Sequence, residues 1–175
     1  MNMPIASSGV TWMTAVLPLI VLLLLCVAAY TDLRHRKISN WISIGLIVSF
    51  SLYALGNTGP VDFWRHLKWG SITLGVLLIP FAMGKIGGGD VKLLSAVVLW
   101  GGPIMGFEIL VLTALIGGGL ALIAMSPLAR HVWDWSAMRF GFKEGIFIYP
   151  TVESLPYGIA ISAAGCFAIM RMFIF

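Results

Sequence analysis

Long apolar runs separated by short polar segments dominate the sequence. The first run, residues 12–30, is free of Lys and Arg and is stopped by the basic stretch 34–37. Other runs that we interpret as single helices cover residues 41–55, 67–83 and 156–175. These lengths approach the ~20 residues that an α-helix needs to cross a bilayer. The pattern therefore predicts an all-α integral membrane protein.

The apolar stretch 91–125 needs a separate interpretation. It has 35 residues, which is too long for one transmembrane helix and short for two. Gly101, Gly102 and Pro103 lie near its middle and are typical of a turn. We therefore predict two helices here and six transmembrane helices in all.

The composition agrees with this interpretation. Hydrophobic residues make up 59% of the chain and charged residues 10%, against roughly 45–50% and 25% in soluble proteins. This excludes a soluble globule, and the apolar content excludes disorder. With only two cysteines, both in apolar runs, a disulfide scaffold is excluded. The net charge of +4 comes from short basic clusters between apolar runs, so we expect a lipid bilayer as partner and no nucleic acid.

The distribution of basic residues predicts the orientation. With six helices, Lys and Arg divide 8 to 3 between the two sides, whereas a model with five helices divides them 6 to 5. Because cytoplasmic loops carry the excess of positive charge, six helices are favoured, with both termini on the extracytoplasmic side. The cytoplasmic segments are then residues 31–40, 84–90 and 126–155, within one membrane-embedded domain that spans residues 1–175.

Two aspartates at one membrane depth are the main chemical signal. Asp32 follows the first predicted helix and Asp90 precedes the fourth, so both lie at the cytoplasmic boundary. A carboxylate that faces lipid costs a few kcal/mol, so such residues usually face the helix bundle or water and are functional candidates. Either aspartate alone could be a helix cap. A matched pair on one side favours catalysis.

A glycine-rich segment directly precedes the second aspartate. Gly87, Gly88 and Gly89 lack side chains, which would permit positive φ angles and the close approach of an extended peptide. Lys92 lies two positions after Asp90, so on a helix it points to a different face. We expect it to contact lipid headgroups or a substrate.

Two other features have simpler interpretations. The 126–155 segment mixes tryptophans and phenylalanines with basic residues, which is typical of a belt on the membrane surface, although a role in holding substrate is an alternative. The histidines, His35, His66 and His131, lie in three different loops, so structural roles are favoured over metal binding.

From about residue 30 to residue 158, the chain resembles the prepilin peptidases, also called type IV leader peptidases. Their first motif is an aspartate, a basic stretch and Ile-Pro-Asn, which here is the segment 32–40 with Ser39 in place of the proline. Their second motif, Gly-x-Gly-Asp-x-Lys, is complete at 87–92. A later Pro-aromatic-Gly element matches residues 156–158.

This resemblance implies an aspartic endopeptidase in the bacterial cytoplasmic (inner) membrane, with Asp32 and Asp90 as catalytic residues. The substrate-binding residues would be Gly87, Gly88, Gly89 and Lys92. It implies no metal and no cofactor. The partners would be prepilins and pseudopilins, and other membrane proteins of pilus assembly. Longer members carry a cytosolic insert with Cys-x-x-Cys pairs and also methylate the new pilin N-terminus; without that insert, this chain resembles the short form that serves tight-adherence (Flp-type) pili.

Two alternatives stay open at this point. Presenilin-like intramembrane proteases also use Gly-x-Gly-Asp, but they carry a Pro-Ala-Leu element and place both aspartates deeper in the membrane. A proton-coupled transporter could use Asp32, Asp90 and Glu108 as a relay, but no convincing two-fold repeat is seen and the acids do not cross the bilayer.

Overall fold

A computed structural model describes residues 11–56, 62–126 and 157–173. Every regular element in these ranges is an α-helix, which confirms the predicted all-α class for this part of the chain. The helices, in chain order, are α1 (Thr11–His35), α2 (Asn40–Gly56), α3 (Phe63–Ala82), α4 (Gly88–Met125) and α5 (Tyr157–Phe173). The 126–155 segment, whose role was left open, lies outside the described residues except for Ser126.

Helix α4 is broken into two helical segments at the predicted turn. Gly102 has φ 61° and ψ −155°, a conformation that favours glycine, and Pro103 follows it. A Cβ placed on Gly106 would lie 3.3 Å from the carbonyl oxygen of Val98. In a straight helix those two residues would be about 12 Å apart along the axis. The chain therefore bends sharply here, and the prediction of two helices is confirmed.

The contacts with α5 show that the two segments of α4 run in opposite directions. The first segment, 88–101, runs parallel to α5, because later residues of the segment contact later residues of α5. The second segment, 103–125, runs antiparallel to α5, because its later residues contact earlier residues of α5. The pairs are Val97 with Gly165 and Trp100 with Phe173 for the first segment, and Glu108 with Arg171 and Gly117 with Tyr157 for the second. The break is thus a helical hairpin.

The six helical segments of the described residues alternate in direction. Asp32 and Asp90 lie at one end of the bundle, which we call the aspartate end. A cluster of rings that includes Phe50, Trp100 and Phe173 lies at the other, the aromatic end. Helix α1 begins at the aromatic end and α5 finishes there, so the first and last described helices share that end.

The core and the surface of the bundle are both apolar. Buried side chains from α1, α2, α4 and α5, such as Leu25, Leu46 and Ile161, form one core. Large apolar side chains also point outward, among them Leu55, which is 85% exposed, and Leu122, which is 73% exposed. Such an extensive exposed apolar surface is typical of a membrane-facing protein. Two helical stretches, Val16–His35 and Gly88–Ile123, are long and apolar enough to cross a membrane.

His66 stabilises the helical hairpin at the aromatic end. Pro103 has no N–H, so the carbonyl of Leu99, four residues earlier, loses its partner within the helix. The Nδ1 atom of His66 lies 2.8 Å from that carbonyl oxygen and donates to it in place of the backbone. The ring also stacks on Phe50, with 5.2 Å between centroids. The structural role predicted for His66 is confirmed, although it lies in α3 and not in a loop.

Substitutions at His66 should separate these two contacts. We expect His66→Phe, which keeps a ring beside Phe50 but lacks the donor, to lower the free energy of unfolding by about 1–3 kcal/mol. His66→Asn places a donor near the Nδ1 position and should retain more of the stability. Thermal unfolding in detergent measures both. A His66→Phe variant as stable as the unsubstituted protein would show that the hydrogen bond is dispensable.

Candidate active site

Asp32 lies in the last turn of α1, where the chain is still helical. The sequence placed it in a loop that begins at residue 31, but α1 continues to His35. Its side chain is buried, with 6% of its surface exposed. The backbone N–H of Gly158 donates to Asp32 Oδ2 at 2.8 Å. Because α5 begins at Tyr157, this N–H is one of the free donors at a helix N-terminus, where negative charge is stabilised.

Arg36 ends α1 and redirects the chain toward the second motif. Its N–H donates to the carbonyl oxygen of Asp32 at 2.9 Å, and its φ of 53° lies in the left-handed region, which is uncommon for a residue other than glycine. The positive charge of Arg36 also acts on the Asp32 carboxylate. The turn therefore places a positive side chain near the Asp32 carboxylate, and it also begins the connection to α2.

Asp90 is the third residue of α4 and reaches back to the start of that helix. The N–H of Gly87, the residue that caps α4, donates to the Asp90 carboxylate. This is the contact that an acidic residue makes at the third position of a capping box. A Cβ on Gly87 would lie 3.0 Å from Asp90 Oδ2, so a side chain there would press on the carboxylate. Because Gly87 has no side chain, the Asp90 carboxylate can reach back to the start of α4.

The structure brings the two predicted aspartates together. They lie at the same end of the bundle, and their charges are close enough to act on each other. Each carboxylate accepts from a backbone N–H at a helix N-terminus, Asp32 from α5 and Asp90 from α4. Helix N-termini can hold negative charge, and here two of them lie at the same end of the bundle, each beside one of the aspartates.

Two further contacts join the first motif to the second. A Cβ on Gly89 would lie 3.1 Å from the side chain of Ile38, so the loop after α1 packs directly on the start of α4. The Nζ atom of Lys92 donates to Asn40 Oδ1 at 3.0 Å. The chain after Asp32 therefore contacts α4 just before Asp90, at Gly89, and just after it, at Lys92. These two contacts set the relative positions of the two carboxylates.

The glycines before Asp90 do not use the conformational freedom that they were expected to permit. None has a positive φ: Gly87 has φ −72°, and Gly88 and Gly89 are helical. Their missing side chains make room for neighbours within the protein, since a Cβ on Gly88 would lie 3.2 Å from the ring of Phe81. The substrate-binding role of the three glycines and of Lys92 remains a prediction.

Gly158 is the site residue for which the sequence assigned no role. The Pro-aromatic-Gly element was visible at residues 156–158, but nothing local indicated what it contacts. A Cβ on Gly158 would lie 2.7 Å from Asp32 Oδ2, so only glycine lets the N-terminus of α5 approach the carboxylate so closely. The signal that could have drawn attention to it was a glycine at the predicted start of the last helix.

The described residues contain no cluster of three or more His, Cys, Asp and Glu side chains that could hold a metal ion. What this end of the bundle offers is a pair of carboxyl groups held by backbone donors. Two carboxylates that repel each other favour a state in which they share one proton, so one can act as a base and the other as an acid. That pair of functions is what the addition of water to a carbonyl group requires.

The model of one family, described as the type IV leader peptidase family, matches residues 19–122, more than half of the chain and a range that contains both aspartates. The chain belongs to that family. The resemblance to type IV leader peptidases is thus confirmed. Searches of curated proteins and of solved structures found no match.

Membership in the type IV leader peptidase family establishes the general activity. The protein is a protease, and its function is that of a prepilin leader peptidase in general terms. The family and the apolar helices together identify a membrane protein.

Proposed function

We propose that this leader peptidase uses Asp32 and Asp90 as an aspartic dyad to hydrolyse prepilins and pseudopilins at the cytoplasmic face of the inner membrane. The bond cleaved would join a short basic leader to the apolar helix that follows it. One observation carries the proposal: two carboxyl groups from distant parts of the chain lie at one end of the bundle, close enough for their charges to interact, and each is held by an N–H at a helix N-terminus.

The first step adds water to the scissile carbonyl. One carboxylate accepts a proton from the water as its oxygen bonds to the carbonyl carbon. The protonated partner donates its proton to the carbonyl oxygen. The product of this step is a tetrahedral diol, and the proton of the pair has moved from one carboxyl group to the other.

The second step breaks the carbon–nitrogen bond. The carboxyl group that gained a proton donates it to the leaving nitrogen, while the other takes a proton from a hydroxyl of the diol as the new carboxylic acid forms. The pair returns to its starting state with one shared proton. The two groups titrate as a unit, so neither has a protonation constant of its own.

The orientation follows from the charges at the two ends of the bundle. In the described residues, the aspartate end carries Arg34, Arg36, Lys37, Lys85 and Lys92, and the aromatic end carries Arg65, Lys68 and Arg171. The excess of positive charge supports a cytoplasmic aspartate end. Six membrane crossings with extracytoplasmic termini would follow from the alternating helical segments.

The lack of a Cys-x-x-Cys pair in this sequence supports the short form of the family that serves Flp-type pili. We propose peptidase activity without methyl transfer, because the sequence has no Cys-x-x-Cys pair of the kind that the longer members carry. The reaction needs only water and two carboxyl groups, so we propose that it proceeds without metal or cofactor.

The position of the acidic residues disfavours both alternatives. Asp32 and Asp90 lie in the terminal turns of their helices, whereas a presenilin-like mechanism needs both deeper in the membrane. Glu108 pairs with Arg171 at the aromatic end, with 2.6 Å between Oε2 and Nη1. An acid that is held by an arginine at the opposite end from the aspartates is poorly suited to a proton relay through the bundle.

A cleavage assay tests the proposal. We expect the purified protein in detergent to convert a prepilin-like substrate to a shorter product, with mass spectrometry placing the cut between the basic leader and the apolar helix. EDTA should leave the rate unchanged. A substrate without the leader serves as the control and should not shift. Absence of cleavage by folded protein, or a rate abolished by EDTA and restored by a divalent metal, would contradict the proposed mechanism.

A further inference from the structure

A groove with a volume of about 400 Å³ lies between α2, α3 and the first segment of α4. It is open to the outside of the bundle. Several of the residues that line it are small or carry a hydroxyl group: Ser43, Gly70, Ser71, Ser95 and Ala96. Its depth is otherwise apolar, and nothing in the reaction proposed above uses it.

The lining is typical of a surface against which a membrane helix packs. Interfaces between transmembrane helices are enriched in Gly, Ala, Ser and Thr, because small side chains let two backbones approach closely. Lipid chains require neither the small residues nor the hydroxyl groups. Ser71 is exposed, and the hydroxyl of Ser43 has no hydrogen-bond partner among the described residues. The groove therefore favours a helix over an acyl chain.

The groove begins at the aspartate end of the bundle. Lys92 and Asn40, which contact each other, line its mouth, and Lys92 lies in the same helical turn as Asp90 but on a different face of α4. From there the lining extends along α4 to Leu99 and along α2 to Ile47. Seven residues of helix rise by about 10 Å, or two helical turns. The groove thus runs from the aspartate end toward the aromatic end over about two turns.

We infer that this groove binds the first two turns of the apolar helix that follows the scissile bond in the substrate. This rests on the proposed function, because it takes the scissile bond to lie at Asp32 and Asp90. A peptide whose scissile bond lies there can continue past Lys92 and enter the groove as a helix. The groove would then position the bond and select substrates that have an apolar helix directly after it.

Site-specific photocrosslinking tests the contact directly. A photoreactive phenylalanine would replace Ser71 in an Asp90→Asn background, with the membrane-inserted substrate present. Val76 lies on the opposite face of α3 from the groove lining and is 58% exposed, so the same probe at Val76 is the matched control. We expect adducts from Ser71 to map to the first two turns after the scissile bond, and none from Val76.

Kinetics provide an independent measurement. Because Ser71→Phe fills the groove, we expect it to raise KM by about tenfold with little change in kcat, as when binding shared by the ground and transition states is lost. Val76→Phe, on the opposite face of α3, should leave both constants unchanged. The inference would be overturned if Ser71→Phe had the KM of the unsubstituted protein. It would also be overturned if the probe at Ser71 formed adducts with lipid or with a second copy of the chain instead of substrate. Neither result would affect the cleavage assay. No cleavage by the unsubstituted protein would overturn the proposed function and this inference with it.

Discussion

Asp32→Asn and Asp90→Asn should each lower the rate of prepilin cleavage by at least about 10²–10⁴-fold, the usual contribution of a positioned acid or base. An amide can neither take a proton from water nor return one to the leaving nitrogen. It can still accept the hydrogen bond from Gly158 or Gly87, so the helix ends should stay in place. The loss should therefore appear in kcat, measured with the assay described above.

Stability should move in the opposite direction from activity. Each variant removes one of two carboxyl groups that oppose each other's ionisation in a poorly solvated site. We expect the unfolding midpoint of either variant to equal or exceed that of the unsubstituted protein. This is the behaviour of residues kept for function at the expense of stability. A large fall in stability would instead indicate that the aspartates are structural.

Asp62→Asn is the matched control for these variants. Asp62 caps α3 at the aromatic end, where its Oδ1 accepts from the N–H of Arg65 at 3.1 Å. Asparagine is an equally good cap, so this variant makes the same chemical change away from the site. It should cleave at the normal rate. Full activity in Asp32→Asn or Asp90→Asn would end the dyad proposal.

Gly158→Ala should lower kcat by about 10²-fold, since a displacement of about 1 Å in a catalytic group can cost that much. The added Cβ would lie 2.7 Å from Oδ2 and 2.9 Å from Cγ of Asp32. It is fixed to the backbone of α5, so the carboxylate must move. Because alanine otherwise favours a helix more than glycine does, a loss of kcat would come from the contact between the new Cβ and Asp32.

Gly118→Ala is the control for this change. Gly118 lies in the second segment of α4, and a Cβ there meets nothing within 4 Å, so both its activity and its fold should be retained. Circular dichroism and thermal unfolding verify that the Gly158→Ala preparation is folded before its kinetics are measured. A folded Gly158→Ala variant with normal kcat would show that α5 does not position Asp32.

The sequence predicted the helices better than their ends. Apolar runs marked all five described helices, and Gly101, Gly102 and Pro103 located the hairpin in α4. The ends were misplaced because polar residues were assigned to loops. At the end of a bundle, however, a helix can continue for another turn that contains polar residues. Helix α1 continues past Asp32 to His35, and α3 already begins at Phe63.

For the site, the sequence identified the two aspartates but not what holds them. Charge counting placed both on one side of the membrane, and the structure brings them together at one end of the bundle. The donor to Asp32, Gly158, is 126 residues away along the chain, so no local pattern could pair them. The same holds for His66 and Leu99, 33 residues apart, because a proline predicts a lost hydrogen bond but not which side chain replaces it.

The hydrogen bond between Gly158 and Asp32 also bears on the order of events during synthesis. Helix α5 is the last of the described helices to leave the ribosome, and Asp32 is in the first. Until α5 has inserted and docked, Asp32 lacks its backbone donor and the wall that buries it. If Asp32 and Asp90 form the proposed dyad, a nascent chain that already contains both aspartates should be inactive, and proteolytic activity should begin only when the bundle is closed.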